Sequence, residues 1–311
     1  MKKIAISIGD VNGIGLEIAL KSHEEIKKYC EPIYFIDVEV VESALTLLKL
    51  KPPKDFHTQN IQYLCSQKIQ DSINNLINPS KLDSLSGEYS FQSFKNATIF
   101  VKEKKADALL TLPIHKKAWE LANINFVGHT DFLSHYFGDK GIMMLGCKEM
   151  FVALFSDHIP LKEVPSKIKF DSLLKFFIKF ANNFSFDKAL VLGLNPHAGD
   201  NGVLGKEDFI INEAIIAANK ALKKEIFIGT ISPDIAFSPQ NRARFHTFIA
   251  MYHDQGLAPL KALYFDESIN VTLGLPILRT SVDHGVAFDI AYQNKASIKS
   301  YLNAIDFILK N

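Results

Sequence analysis

The chain is poor in cysteine, balanced in charge and without a membrane-length apolar run, and each of these deficits excludes a class of protein. Cysteine occurs three times in 311 residues, at Cys30, Cys65 and Cys147, with no CxxC pair. That spacing argues against a disulfide framework and for a reducing, cytoplasmic setting. The formal net charge is +1, from 35 basic and 34 acidic residues. With no dominant basic tract, nucleic acid is not the expected partner. No segment has the uninterrupted apolar length of a membrane span. The N-terminal MKKIAISIGD is too short for a signal sequence and ends in Gly-Asp, so it reads as a first strand. The dinucleotide fingerprint G-x-G-x-x-G and the Walker A loop are both missing. What remains, 47% hydrophobic and 22% charged, is the composition of a globular enzyme of one or two domains.

The apolar pattern alternates between short strand-like runs and helical spacing. Strands are expected at 3–8, 32–37, 107–111 and 189–194, with a further short one, IQYLC, at 61–65. Runs at 142–147 and 151–155 read as a hairpin. Helices are expected from Leu16 to Tyr29, Val40 to Leu50, after Ser86-Gly87 to Lys105, at 171–184, 207–223 and 297–311. Thr130 is placed to cap a helix carrying Phe132 and Tyr136. This alternation predicts an α/β fold with a largely parallel central sheet. The turn Gly9-Asp10-Val11-Asn12-Gly13-Ile14-Gly15 has two readings, an anion seat at a helix start or a tight packing turn.

The chemistry gathers late in the chain. His253-Asp254-Gln255-Gly256 and Ser281-Val282-Asp283-His284-Gly285 bracket apolar runs, and Lys261, Asn270 and Arg279 lie between or beside them. A lysine, an amide and a guanidinium suit an anionic, hydroxylated small molecule. His158, His197 and His253 each follow a buried-strand pattern. Three imidazoles arriving from separate strands suit a catalytic divalent metal with an open position. Asp254 and Asp283 are candidates to orient imidazoles. The plainer reading is that each histidine hydrogen-bonds within a polar loop.

Six motifs then stand in order: GHTD at 128–131, SDHIPL at 156–161, NPHAGD at 195–200, YHDQG at 252–256, NVTLGLP at 270–276 and RTSVDHG at 279–285. Together they resemble the 4-hydroxythreonine-4-phosphate dehydrogenases of vitamin B6 synthesis. The resemblance departs at Val11 and Thr230, where the family has proline, and at Ser156, where it has threonine. It runs over nearly the whole chain and is weakest at 38–85.

This resemblance implies an isocitrate/isopropylmalate dehydrogenase-like architecture, two α/β domains flanking a central cleft. Residues 1–311 would form one catalytic unit of two interleaved subdomains with no single boundary. It implies that His129, Thr130, Lys261, Asn270 and Arg279 bind substrate, and that His158, His197 and His253 hold one divalent metal per subunit, zinc, cobalt or magnesium. It also implies a homodimer with active sites at the subunit interface. The expected reaction is NAD- or NADP-dependent oxidation of 4-phosphooxy-L-threonine to a 3-keto acid, which decarboxylates to 3-amino-2-oxopropyl phosphate in pyridoxal 5'-phosphate biosynthesis. Alternatives are a dehydrogenase of a related 4-phosphorylated sugar acid such as threonate 4-phosphate, a phosphate acyltransferase-like protein, or a metal-binding regulatory protein. Neither a general base nor the residues that hold the nicotinamide cofactor can be assigned from the motifs.

Overall fold

A computed structural model describes all 311 residues. In chain order the strands are β1 (Lys2–Ser7), β2 (Cys30–Phe35), β3 (His57–Gln59), β4 (Ala108–Thr111), β5 (Ile142–Cys147), β6 (Met150–Leu154), β7 (Ala189–Leu192), β8 (Phe227–Ile231), β9 (Thr247–Ala250), β10 (Ile269–Leu273) and β11 (Leu278–Val282). The helices are α1 (Gly15–Ile26), α2 (Val38–Leu48), α3 (Gln67–Ser72), α4 (Ser84–Lys102), α5 (Lys116–Leu121), α6 (His129–Phe137), α7 (Val164–Lys167), α8 (Phe170–Asn183), α9 (Glu207–Leu222), α10 (Pro233–Ala236), α11 (Pro239–Arg242), α12 (His253–Tyr264) and α13 (Lys299–Lys310). None is long and apolar enough to cross a membrane. The chain forms two compact units, one of Met1–Asp139 with Leu275–Asn311, the other of Lys140–Gly274.

The first unit holds five strands in the order β3-β2-β1-β4-β11, every neighbouring pair parallel. Its central strands are continuous apolar runs because both faces are covered. Ile4, Ile6, Leu109 and Leu110 are fully buried. Ser7 pairs with Thr111, and Thr111 with Ser281, so three hydroxyl side chains stand at the strands' C-terminal ends. Functional groups of parallel sheets collect at such ends.

The second unit holds six strands in the order β10-β5-β6-β9-β7-β8. The β10–β5 and β5–β6 pairs are antiparallel and the others parallel, so the expected hairpin at 142–155 is present. Leu145, Val152, Leu154, Leu190, Phe248 and Leu260 share one core. Helix α12 approaches this sheet closely at Gly256, where a Cβ would lie 2.5 Å from Val152 Cγ1 and 2.9 Å from Ala250 Cβ.

Three local expectations need correction. The segment 61–65 is not a strand; Gln62–Leu64 is a short 3-10 turn. The Asp37 carboxylate accepts hydrogen bonds from the backbone N–H of Ile61 and Gln62, which draws the chain inward and stops it extending. Ser86-Gly87 does not precede the long helix but lies in its first turn, because Asp83 is the cap and accepts from Leu85 N at 2.7 Å. Thr130 is not a cap either: Gly128 holds that position, and Asp131 reaches back to accept from Val127 N at 3.0 Å.

Candidate active site

In the first unit, Arg279 is carried on β11 opposite Leu109 of β4, and is 2% exposed. Its Nη2 donates to Thr111 Oγ1 at 2.7 Å and lies 3.3 Å from His129 Nδ1. His129 is the first residue of α6 and is packed edge-on against Phe94 and Trp119, at centroid distances of 4.4 and 5.7 Å. A guanidinium has only donors, so His129 Nδ1 is the acceptor. Burial, with Arg279 and then Lys116 nearby, holds the imidazole pKa well below its ordinary value. A neutral ring accepting at Nδ1 carries its proton on Nε2, and that buried atom meets no protein partner. Burial pulls the Arg279 guanidinium down to about 9, which leaves it charged at neutral pH. The arrangement is a buried cation beside a neutral N–H donor, suited to an oxyanion. Thr130, half-buried, follows His129 directly.

Two loops next to this group are fastened together. Asp10 N donates to Pro113 O at 2.8 Å, and Leu112 N donates to Ser7 O at 3.0 Å. Asp10 is completely buried. Burial raises its carboxyl to about 6, opposed by the Asn12 backbone hydrogen bond. Nothing in the sequence marks this, because an aspartate in a glycine turn reads as a surface residue.

In the second unit, His253 opens α12 and donates from Nδ1 to Asp254 Oδ1 at 2.6 Å. With the carboxylate on Nδ1 as acceptor, Nε2 is left available as a metal ligand. His158 follows β6, and its ring centroid lies 5.6 Å from that of His253, tilted by 40°. Two imidazoles sharing one ion at about 2.1 Å from each nitrogen have centroids roughly 5–5.5 Å apart, close to this separation. His197 follows β7 in a run of five left-handed residues, His197 to Asn201, with φ from 42° to 82°. Within the chain no group of three metal-ligating side chains is assembled.

The His197 loop is held by a residue the sequence did not single out. Asp208, 4% exposed at the start of α9, accepts from Leu194 N at 2.8 Å, Asn195 N at 3.2 Å and Asn195 Nδ2 at 2.8 Å. Gly193 and Gly199 are required there, since a Cβ on either would crowd the Asp208 carboxylate. Asp234, in the first turn of α10, accepts from Ser232 Oγ; that bond lowers its pKa, and His197 adds a smaller electrostatic pull.

Lys261 lies two turns beyond His253 on α12, about 12 Å along the axis, and its Nζ is 5.2 Å from the Phe265 ring centroid. Asn270 is on β10, and its buried Oδ1 has no protein partner. A cavity of about 310 Å³ adjoins the His197 loop, lined by Asn201, Gly202, Asp208, Phe209, Asn212 and Thr230 among others. Phe209 in its lining is 51% exposed, and Val203, Ile216 and Ile235 are exposed at 77%, 61% and 51%.

The profile of the family described as "Pyridoxal phosphate biosynthetic protein PdxA" matches residues 28–308. A 4-hydroxythreonine-4-phosphate dehydrogenase of Sulfurimonas denitrificans is 55% identical over 303 residues, 97% of this chain and 95% of that protein. One from Campylobacter fetus is 52% identical over 311 residues, 100% of this chain and 98% of that protein. Among solved structures, the 4-hydroxythreonine-4-phosphate dehydrogenase from Klebsiella pneumoniae is similar with a TM-score of 0.81 at 28% identity, covering 100% of this chain and 99% of that one.

Proposed function

The chain belongs to the pyridoxal phosphate biosynthetic protein PdxA family, and from that premise we propose that it is the NAD(P)-linked oxidoreductase acting on 4-phosphooxy-L-threonine. The reaction oxidises the C3 hydroxyl to a ketone; the resulting 3-keto acid loses carbon dioxide and yields 3-amino-2-oxopropyl phosphate. The observation that carries this reading is the buried Arg279, aligned by Thr111 and facing a neutral His129. A charged guanidinium in that setting favours a phosphate or carboxylate beside it.

His129, Thr130, Lys261, Asn270 and Arg279 bind the substrate in this proposal. Arg279 and Lys261 are proposed as charge partners for its phosphate and carboxylate. Asn270 offers an amide whose buried oxygen is otherwise unmet, which fits a ligand donor such as the amino group or a hydroxyl. His158, His197 and His253 are proposed to hold one divalent ion. The spacing of His158 and His253 and the Asp254 contact on His253 Nδ1 support that set. When bound, such an ion lowers the pKa of a hydroxyl and polarises a carbonyl. Imidazole ligands favour zinc or cobalt over magnesium.

A homodimer with composite sites is part of the proposal. Val203, Phe209, Ile216 and Ile235 are large apolar side chains left exposed on the segments around the His197 loop, and residues of that kind suit a subunit interface. The isocitrate/isopropylmalate dehydrogenase-like architecture belongs to the same reading. So does a cytoplasmic location, which the three unpaired, buried cysteines suit.

The test is a substrate panel with metal-reconstituted protein, following NAD(P)H absorbance. 4-Phosphooxy-L-threonine should be oxidised with the highest kcat/KM. Preference for threonate 4-phosphate, or no reduction of NAD or NADP with any member, would overturn the substrate or the reaction.

A further inference from the structure

Two buried polar atoms at the strand ends of the first unit have no partner: Asp10 Oδ2 and His115 Nδ1. Unpaired buried groups are uncommon because they lose water without replacing it, so two from adjoining loops point to a missing ligand group. The loops are fixed relative to each other. Asp10 N donates to Pro113 O at 2.8 Å, and a Cβ on Gly9 would lie 2.2 Å from the same oxygen. The other Asp10 oxygen, Oδ1, accepts from Asn12 N at 3.0 Å. The Ser86 hydroxyl lies within hydrogen-bonding reach of the Asp10 carboxylate but has one proton, which it gives to Asp83 O at 3.0 Å, so Oδ2 is left unmatched. His115 is close enough to act electrostatically on Asp10. Its ring lies nearly parallel to that of Phe288, at 17° and 5.2 Å between centroids, so a flat aromatic ring already stacks in this place.

We propose that Asp10 and His115 anchor the carboxamide of the nicotinamide cofactor. The inference rests on the reading that this chain uses NAD(P). With His115 in the tautomer that carries its proton on Nδ1, an oxygen acceptor and a ring N–H donor call for a single group that both donates and accepts. A primary carboxamide does so in one plane: its NH2 meets Asp10 Oδ2 and its C=O meets His115 Nδ1–H. Phosphate and carboxylate offer acceptors only, and the Asp10 carboxyl repels them once ionised. Holding the carboxamide also fixes how the ring is turned, and so which ring face is presented for hydride transfer.

The test compares binding of NAD with that of its 3-acetylpyridine analogue, in which a methyl group replaces the carboxamide NH2. Isothermal titration calorimetry would be run on the wild type and on Asp10→Asn, with melting temperatures as a check on folding. Asn keeps the shape of Asp but can turn an NH2 toward the cofactor's NH2. The wild type should bind the analogue at least tenfold more weakly than NAD. In Asp10→Asn, NAD should weaken by a similar factor while the analogue changes little, so the discrimination collapses. His115→Ala should weaken both dinucleotides alike, because both keep the carbonyl. Discrimination that persists in folded Asp10→Asn, or is absent from the wild type, would overturn the anchor and leave the dehydrogenase reading in place. A substrate-binding defect with unchanged dinucleotide binding would also overturn it, by assigning Asp10 to the substrate. A wild type that binds neither dinucleotide and forms no NADH would end both.

Discussion

Arg279 and His129 meet nitrogen to nitrogen at 3.3 Å in the first unit. Because a guanidinium only donates, this contact settles the tautomer: Nδ1 accepts and Nε2 carries the proton. The imidazole pKa is held well below its usual value by burial and then by the Arg279 charge. A depressed base binds its proton less tightly folded than unfolded, so its contribution to stability is lost as pH falls below the unfolded value near 6.5. Ring 15N NMR should find His129 neutral and protonated at Nε2 at pH 6. A charged His129 at that pH would contradict the assignment.

Arg279 also gives a kinetic prediction. If it grips an oxyanion, Arg279→Lys should lower kcat/KM by one to two decades, since a charge-assisted hydrogen bond contributes roughly 1.5–3 kcal/mol and a point charge cannot reproduce the guanidinium fork. Metal content should stay unchanged. A purely structural Arg279 would show a lower melting temperature with normal kinetics in the surviving folded protein, so both are measured on one preparation.

Thr111→Val removes the acceptor for Arg279 Nη2 and keeps the side-chain shape. The variant should lose about 1–3 kcal/mol of stability, the cost of removing one hydrogen bond to a buried charged group, in urea unfolding at pH 7. A midpoint unchanged from the wild type would show that the Thr111 bond adds no stability beyond the other contacts of the guanidinium.

Asp10 predicts an unusual pH dependence. Its carboxyl is raised from 3.8 to about 6 by burial. A raised acid is fully stabilising below the unfolded pKa and loses that contribution as pH rises through the folded one; here the window is about pH 4 to 6. The penalty above it is on the order of 3 kcal/mol. Asp10→Asn should therefore melt higher than the wild type at pH 7.5, with the gap closing toward pH 4. Asp83, His115 and Tyr292 act electrostatically with Asp10 and modulate the size of the gap.

The metal proposal is tested through the two histidines that differ most in setting. His197→Ala should lose bound metal at sub-saturating zinc; equal metal content in both proteins would remove His197 from the set. Asp254→Asn removes the carboxylate that orients His253 and should weaken metal affinity about 10- to 100-fold. Competition with a chromophoric chelator reads both.

Much of this was legible in the residues. The strand ends delivering His158, His197 and His253, the apolar run before Arg279, and the hairpin at 142–155 all follow from local apolar patterning, and patterning survives folding because one face or both must be buried. What escaped depends on contacts distant in sequence. Asp37 bends residues 61–65 into a turn through hydrogen bonds spanning 24 and 25 positions, which no local window contains. Asp208 was hidden because an acidic residue in the first turn of a helix looks like a dipole partner and nothing more. The left-handed run at 197–201 had a readable signal, the Gly and Asn of NPHAGDNG, since those residues tolerate positive φ best.

The first unit is discontinuous: its fifth strand, β11, arrives only after the whole of Lys140–Gly274 has been made. During synthesis, β4 is therefore a bare edge, an apolar ALLT segment whose outer row of backbone groups waits for residues 278–281. Such an edge invites pairing with other chains until it is covered. Arg279 rides on the strand that covers it, so the buried guanidinium is placed at the same moment the β4 edge is covered. A ribosome stalled before residue 278 would hold a chain that lacks Arg279 and keeps the β4 edge bare, and synthesis of residues 278–281 supplies both the guanidinium and the missing strand.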